Sequence, residues 1–123
     1  RLADMCAEAQ NRQAVADAGA IEAIVAALQA HPQVAGVQQY GCLALGNVCY
    51  GSDAAALARI QRAADAGGIE LAVAAMQAHP QVVRVQQGGC GVLGLVCSGT
   101  DAAGIARKQR AADAGGIEAI VAA

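Results

Sequence analysis

The chain has 123 residues, enough for one domain with one elongated core. Apolar residues make up 56% of it, largely alanine, and Phe and Trp are absent, so we expect a core of small side chains supplemented by Leu, Ile, Val and Met. Eight basic against ten acidic residues give a net charge of −2, which argues against a nucleic-acid-binding surface because such surfaces carry a strong basic excess. No apolar run approaches the roughly 20 residues of a transmembrane helix and no signal peptide is visible, so no membrane partner is expected.

An internal repeat is the strongest feature of the sequence. Three pairs of segments share one spacing of 48 residues: 62–70 with 110–118, 29–34 with 77–82, and 37–39 with 85–87. A spacing shared by independent segments indicates stacked units, each covering the apolar side of the next. The earliest stretch fits a unit five residues shorter, because the later units have extra residues near 51–57, where a surface turn absorbs them. We therefore predict a single array divided into 1–7 (the end of a preceding repeat), 8–50 and 51–98 (complete repeats) and 99–123 (a partial repeat).

Each unit divides into three helices. In chain order we predict a helix ending at Ala18, then helices over 20–30, 33–50, 54–66, 69–79 and 81–98. Gly67 and Gly68 form a helix-ending signal between the first and second helices of their unit. Pro80 cannot continue the second helix but suits the first turn of the third. No segment alternates apolar and polar residues over the length of a strand, so β structure is not expected.

Residues 19–28 and 37–48 carry a resemblance to a known family. The first stretch, Gly-Ala-Ile-Glu-Ala-Ile-Val-Ala-Ala-Leu, resembles the start of the second helix of an armadillo repeat. The second, which ends in Ala-Leu-Gly-Asn-Val, resembles that repeat's third helix. The resemblance covers essentially the whole chain. It implies an all-α fold, a right-handed α-solenoid of three-helix armadillo-like repeats, with about two complete repeats and partial ones at both ends.

The same resemblance implies a concave groove lined by third helices. In that family an asparagine clamps an extended peptide there, and a tryptophan four residues earlier packs beside it. Asn47 matches the asparagine and Leu43 stands at the tryptophan position. The next unit has Leu95 and Gly91 at these positions, and Asp4 takes the asparagine position of the first partial unit. A regular asparagine–tryptophan ladder is therefore not expected, but the curvature of a solenoid supplies a groove for another partner.

Helical spacing places one set of side chains along that groove. We predict that five residues of the third helices contact a partner: Tyr40, Leu43, Asn47, Arg84 and Leu95. Aromatic, amide and arginine side chains are typical of interfaces. The alternative is that these are ordinary surface residues.

Few residues suggest chemistry. Cys42 and Cys49 are seven residues apart, about 10 Å along a helix, which is too far for a shared zinc ion or a disulfide, so free buried thiols are predicted. His31 and His79 precede prolines at equivalent positions, which favours a structural role over catalysis or metal binding. With no nucleophile–base pair and no phosphate loop in view, we predict no catalytic residue, no metal and no cofactor, and hence no enzyme.

Two features leave alternatives open. The basic residues of the first helices are interpreted as a solvated face, or alternatively as a patch for phosphate or an acidic partner: Arg59, Arg62, Arg107, Lys108 and Arg110. The third helix of the second unit contains Gly88, Gly89, Gly91 and Gly94, each of which destabilises a helix by up to ~1 kcal/mol relative to alanine. Close approach of a neighbouring helix, or of a bound partner, is the compensation we expect.

The sequence favours a non-catalytic protein–protein interaction module that binds a peptide or protein along the concave face of the third helices. The alternative is a structural or docking segment of a large multiprotein assembly. Ile117, Ile120 and Val121 lack a third helix to cover them, so we expect end-to-end contact with further repeats or with another chain. Five cysteines, an odd number, within apolar helical stretches indicate a reducing compartment, the cytoplasm or the nucleus.

Overall fold

A computed structural model describes the backbone of residues 2–123 and the side chains of residues 10–123. This part of the chain forms helices and no strand, which confirms the all-α prediction. The helices are α1 (Leu2–Asp17), α2 (Ala20–Ala30), α3 (Ala35–Cys49), α4 (Ala54–Asp65), α5 (Gly68–Ala78), α6 (Val83–Val96), α7 (Ala102–Asp113) and α8 (Gly116–Ala122). None of these helices is long and apolar enough to cross a membrane.

Helix boundaries follow local signals that recur from unit to unit. Asp53 and Asp101 cap α4 and α7, and each side chain accepts a 2.9 Å hydrogen bond from the backbone N–H three residues later. The glycines before α2, α5 and α8 have φ between 92° and 97°, a conformation that glycine adopts without a steric penalty: Gly19, Gly67 and Gly115. Because these signals are local, the predicted helix ends lie within two residues of the observed ones from the end of α1 to the end of α6.

The structure differs from the prediction at the start of α1. The predicted boundary between residues 7 and 8 implies that one helix ends there and another follows, but Leu2–Asp17 is one continuous helix. In the later units a glycine-containing turn, at 51–53 and 99–101, separates third from first helices. The shorter first unit has Ala-Glu-Ala-Gln at 7–10 instead, with nothing to stop a helix. The assignment of residues 1–7 to a preceding unit stays a prediction.

The core lies where helices of successive units pack side by side. The most extensive packing joins α3 to α6, and α2 likewise contacts α5. A Cβ atom added to Gly88 would lie 2.9 Å from Cys42 Cβ, and one added to Gly89 would overlap the Met76 side chain. Close approach of neighbouring helices therefore accounts for two of the four glycines in α6.

Two buried arginines join successive units, so the solvated-face interpretation is wrong for them. Arg59 is only 6% exposed and donates to the carbonyls of Val48 (2.8 Å) and Tyr50 (3.1 Å) at the end of α3, and to Gln13 Oε1 in α1 (2.7 Å). Arg107 makes the three equivalent bonds one unit later. The last carbonyls of a helix have no partner within it, and a guanidinium offers five donors to satisfy them. We call each of these two contact sets a junction.

The remaining basic residues of the first helices also have partners within the chain. Arg62 forms a bidentate ion pair with Glu22 of the preceding unit, at 2.6 and 2.9 Å. Arg110 pairs with Glu70 in the same way, at 2.6 and 3.0 Å. Lys108 Nζ donates to a backbone carbonyl of its own unit at 2.9 Å. These exposed cations therefore bridge parts of the chain, and a role as a patch for an acidic partner stays a prediction.

Two glutamines satisfy the ends of the second helices. Gln38, which is buried, donates from Nε2 to two carbonyls at the end of α2, at 3.0 and 2.9 Å. Gln86 does the same at the end of α5. His79 Nε2 donates to the carbonyl of Pro32 in the preceding unit at 2.9 Å. This contact gives His79 the structural role that its sequence position predicts.

Candidate functional site

An open groove of about 500 Å³ lies between α3 and α6. Its lining comes from these two helices and the residue that follows α3: Gln39, Tyr40, Cys42, Leu43, Gly46, Asn47, Tyr50, Arg84, Gln87, Gly88, Gly91, Gly94 and Leu95. The close packing of α3 on α6, described above, fixes the distance between its two walls. Ligand sites in proteins are usually concave surfaces of this size range.

All five residues predicted to contact a partner line this groove: Tyr40, Leu43, Asn47, Arg84 and Leu95. Tyr40 is 66% exposed and Leu43 is 52% exposed, whereas Leu95 is half-buried. Single exposed apolar side chains are ordinary on a protein surface, but several gathered in one concavity mark an interaction site. The structure thus brings the predicted residues together, and their role in binding stays a prediction.

Three glycines in the lining of the groove have open space where a side chain would stand. A Cβ atom added to Gly46, Gly91 or Gly94 would meet no atom within 4 Å. Their missing side chains leave open space in the lining that Leu43 and Leu95 also form. The two glycines of α6 that helix packing does not explain therefore face the groove. We refer to these three residues as the glycine floor.

Several groove residues are not among the five that the sequence predicts. Tyr50 follows the end of α3, so a search for helical spacing does not reach it. The guanidinium of Arg12 lies 5.2 Å from the centre of the Tyr50 ring, and Arg12 Nε donates to the Asn47 carbonyl at 3.0 Å. Gln39 and Gln87 also line the groove. The sequence feature that identifies them is the Gln-Gln pair at 38–39 and again at 86–87. The first glutamine of each pair points into the core and the second points out.

The groove is positively charged at one place. Arg84 is the one charged residue among the described residues that line it. Its side chain is exposed and has no hydrogen bond or ion pair within residues 10–123. Burial raises the pKa of the Cys42 thiol to about 11, so this groove residue stays protonated and neutral at neutral pH. The groove therefore presents one unpaired cation on a largely apolar lining.

Groups with catalytic or metal-binding potential are dispersed. Within residues 10–123, no three His, Cys, Asp or Glu side chains lie close enough to hold a metal ion. The cysteines in this part of the chain are free thiols: Cys42, Cys49, Cys90 and Cys97. Burial also raises the pKa of Cys49 to about 11. Asp4 and Cys6 lie outside the residues whose side chains are described.

A second exposed apolar surface lies on α8 and consists of Ile117, Ile120 and Val121, which we call the end face. Ile117 is 63% exposed, whereas its equivalent Ile69 is fully buried. Val121 is 80% exposed, whereas its equivalent Val73 is 2% exposed. The same positions are therefore covered in one unit and open in the next.

Comparison with protein-family models, with curated proteins and with solved structures finds no match to this chain.

Proposed function

We propose that the chain is a non-catalytic protein–protein interaction module that holds a peptide or protein partner in the groove between α3 and α6. The observation that carries the proposal is the meeting of Tyr40, Leu43, Asn47 and Arg84 around one open concavity. Tyrosine and arginine dominate the binding energy of many interfaces, especially beside apolar pockets that exclude water. An exposed cluster of this composition is better explained by a partner than by the stability of the free chain.

We also propose that the helices form a right-handed α-solenoid of armadillo-like repeats, with units 8–50, 51–98 and 99–123. Support comes from the two junctions, whose hydrogen bonds recur 48 residues apart, at Arg59 and at Arg107. The side-by-side packing of equivalent helices also supports it. In such an array each unit contacts its neighbours, and successive third helices line one concave surface.

The amide groups of the groove favour an extended peptide as the partner. Gln39 and Asn47 on one wall and Gln87 on the other have side-chain amides with no hydrogen-bond partner within residues 10–123. An amide both donates and accepts, which matches the alternating N–H and C=O groups of an extended backbone. In a helical partner the backbone N–H and C=O groups are already paired within the helix, so they would not bind the side-chain amides of the groove.

We propose no catalytic role, because the groove brings together no nucleophile and base, and its Cys42 thiol is kept protonated by burial. The free buried thiols support a reducing compartment, the cytoplasm or the nucleus. The net charge of −2 and the internal pairing of the basic first-helix residues give no support for nucleic acid as a partner.

The test is selection from a displayed library of random peptides about ten residues long, a length that spans a groove of this kind. Selected peptides are then measured by fluorescence anisotropy against the wild-type chain and two variants. Leu43→Glu places a charge in the groove and should weaken binding at least about tenfold. Ala74→Glu places the same charge on an exposed position of α5 outside the groove and should leave binding unchanged. Peptides that bind Leu43→Glu as tightly as they bind the wild-type chain would show that binding occurs elsewhere.

The second candidate function is a structural or docking segment of a larger assembly, and the end face is the observation that favours it. Ile117 and Val121 are exposed where their equivalents Ile69 and Val73 are buried, so another chain that packs on α8 would cover them. Contact through the basic first-helix residues, which the sequence also allowed, loses its support because Arg59 and Arg107 are buried.

Sedimentation velocity tests this second function. If the end face docks onto a second copy of the chain, the chain should associate as its concentration rises, and Ile117→Asp with Val121→Asp should abolish the association. Val83→Asp is the control, because Val83 is also an exposed valine but lies outside both surfaces. A wild-type chain that remains a monomer at the highest concentration reached would count against a second copy as the protein that covers this face.

A further inference from the structure

The groove has room for a large side chain of a partner. The glycine floor leaves open space in the same lining as Leu43 and Leu95, and Tyr40, which also lines the groove, is exposed. A Phe, Tyr, Trp or Leu side chain entering this space would bury its apolar surface against both walls. Aromatic side chains bury about 150–250 Å² each, more than other residues, and anchor many interfaces.

The charge of the groove selects a second feature of the partner. Arg84 is exposed, unpaired within residues 10–123, and no carboxylate lies among the described lining residues. The chain as a whole is acidic, so a cation here runs against its average charge. The first turns of α3 and α6 also contain no acidic residue that would offset it. A carboxylate is the group that a guanidinium binds best, through two parallel hydrogen bonds.

From these observations we infer that the partner is an acidic peptide segment, with one large apolar side chain seated on the glycine floor and one carboxylate held by Arg84. The inference rests on the proposed function of the groove as a peptide-binding site. It adds the chemistry of the occupant.

The geometry also sets the distance between the two groups. Arg84 and Gly91 are seven residues apart on α6, which is about 10 Å along a helix. An extended peptide advances about 3.3 Å per residue, so the carboxylate and the apolar anchor lie roughly three residues apart. A segment of the type Asp-x-x-Phe, or the reverse order, therefore fits the two positions together.

The experiment uses a labelled peptide about ten residues long with one Asp and one Phe three residues apart in a Gly/Ser background. Two matched peptides replace Asp by Asn or Phe by Ala. On the wild-type chain each replacement should weaken binding at least about tenfold, because each removes one of the two contacts. Equal binding of all three peptides would overturn the inference.

Two protein variants assign the contacts. Arg84→Glu should weaken the Asp-containing peptide at least about tenfold and leave the Asn-containing peptide nearly unchanged. Lys108→Glu changes the net charge equally but lies on α7 outside the groove, and should have little effect. Gly91→Leu should fill the floor and weaken the Phe-containing peptide, whereas Ala74→Leu, at an exposed position of α5 that does not line the groove, should not.

Failure of the inference and failure of the proposed function give different results. Library peptides that lose binding with Leu43→Glu but contain neither an acidic residue nor a large apolar one would overturn the inference and leave the groove as the binding site. Library peptides that are all indifferent to Leu43→Glu would overturn both. Enrichment of basic residues among groove-binding peptides would also contradict the inference, because Arg84 repels them.

Discussion

The two junctions repeat closely along the chain, whereas the groove repeats only in part. Arg59 and Arg107 donate to equivalent carbonyls and to equivalent glutamines at closely similar distances. In the groove, by contrast, several equivalent positions differ in kind: Tyr40 is aligned with Gly88, Leu43 with Gly91 and Asn47 with Leu95. The junction must satisfy the same helix-end carbonyls in every unit, so its residues stay the same. Most of the groove has no such requirement, and these side chains are specific to this place in the array.

The largest expected effect distinguishes the two regions by stability. Arg59→Met should lower the free energy of unfolding by about 3 kcal/mol, because a charged donor of three hydrogen bonds is lost and buried carbonyls remain without it. Asn47→Ala in the groove should change it by less than about 0.5 kcal/mol, since this exposed amide has no partner among residues 10–123. Urea unfolding followed by circular dichroism measures both. Should Arg59→Met fail to fold, Arg107→Met at the second junction provides the same comparison, and equal effects of junction and groove variants would contradict it.

Two smaller effects on stability, opposite in sign to each other, are expected within α6. Gly89→Ala should destabilise the chain by about 1 kcal/mol, because the added methyl overlaps Met76 and overpacking outweighs the gain in helix propensity. Gly91→Ala, two residues later, should stabilise it by up to about 1 kcal/mol, because its methyl group points into the open groove.

Thermal and urea unfolding of the two alanine variants measure this difference. The sign is the diagnostic result, since both substitutions are chemically identical and lie in the same helix. Stabilisation by both would show that α6 can shift away from α5 at Gly89. Destabilisation by both would show that the glycine floor is packed in solution and is not open.

The sequence predicts local features of this molecule well and remote contacts poorly. Helix ends set by Asp53, Gly67 or Pro80 depend on neighbouring residues, and the groove residues follow from helical spacing along α3 and α6. The burial of Arg59 depends on Gln13, which is 46 residues away. The local amphipathic pattern therefore predicts a solvated side chain at Arg59, and this prediction is wrong. Tyr50 was missed for a different reason, because it enters the groove from outside a helix.

The smallest expected effect concerns the exposed ion pair that accompanies the first junction. The hydrogen bonds from Arg62 hold the pKa of Glu22 below its ordinary value of about 4.5. Because the folded pKa is lowered, the stability that this pair contributes is present above the unfolded value and is lost as the pH falls through the folded one.

Arg62→Gln should therefore raise the pKa of Glu22 toward 4.5, as followed by NMR titration of its side-chain carboxyl carbon. Arg110→Gln removes the equivalent arginine one unit away and should leave Glu22 unchanged, because its own partner is Glu70. If Arg62→Gln leaves the pKa of Glu22 unchanged, the Arg62–Glu22 pair does not form in solution. The contacts that recur between units would then be those of the buried arginines.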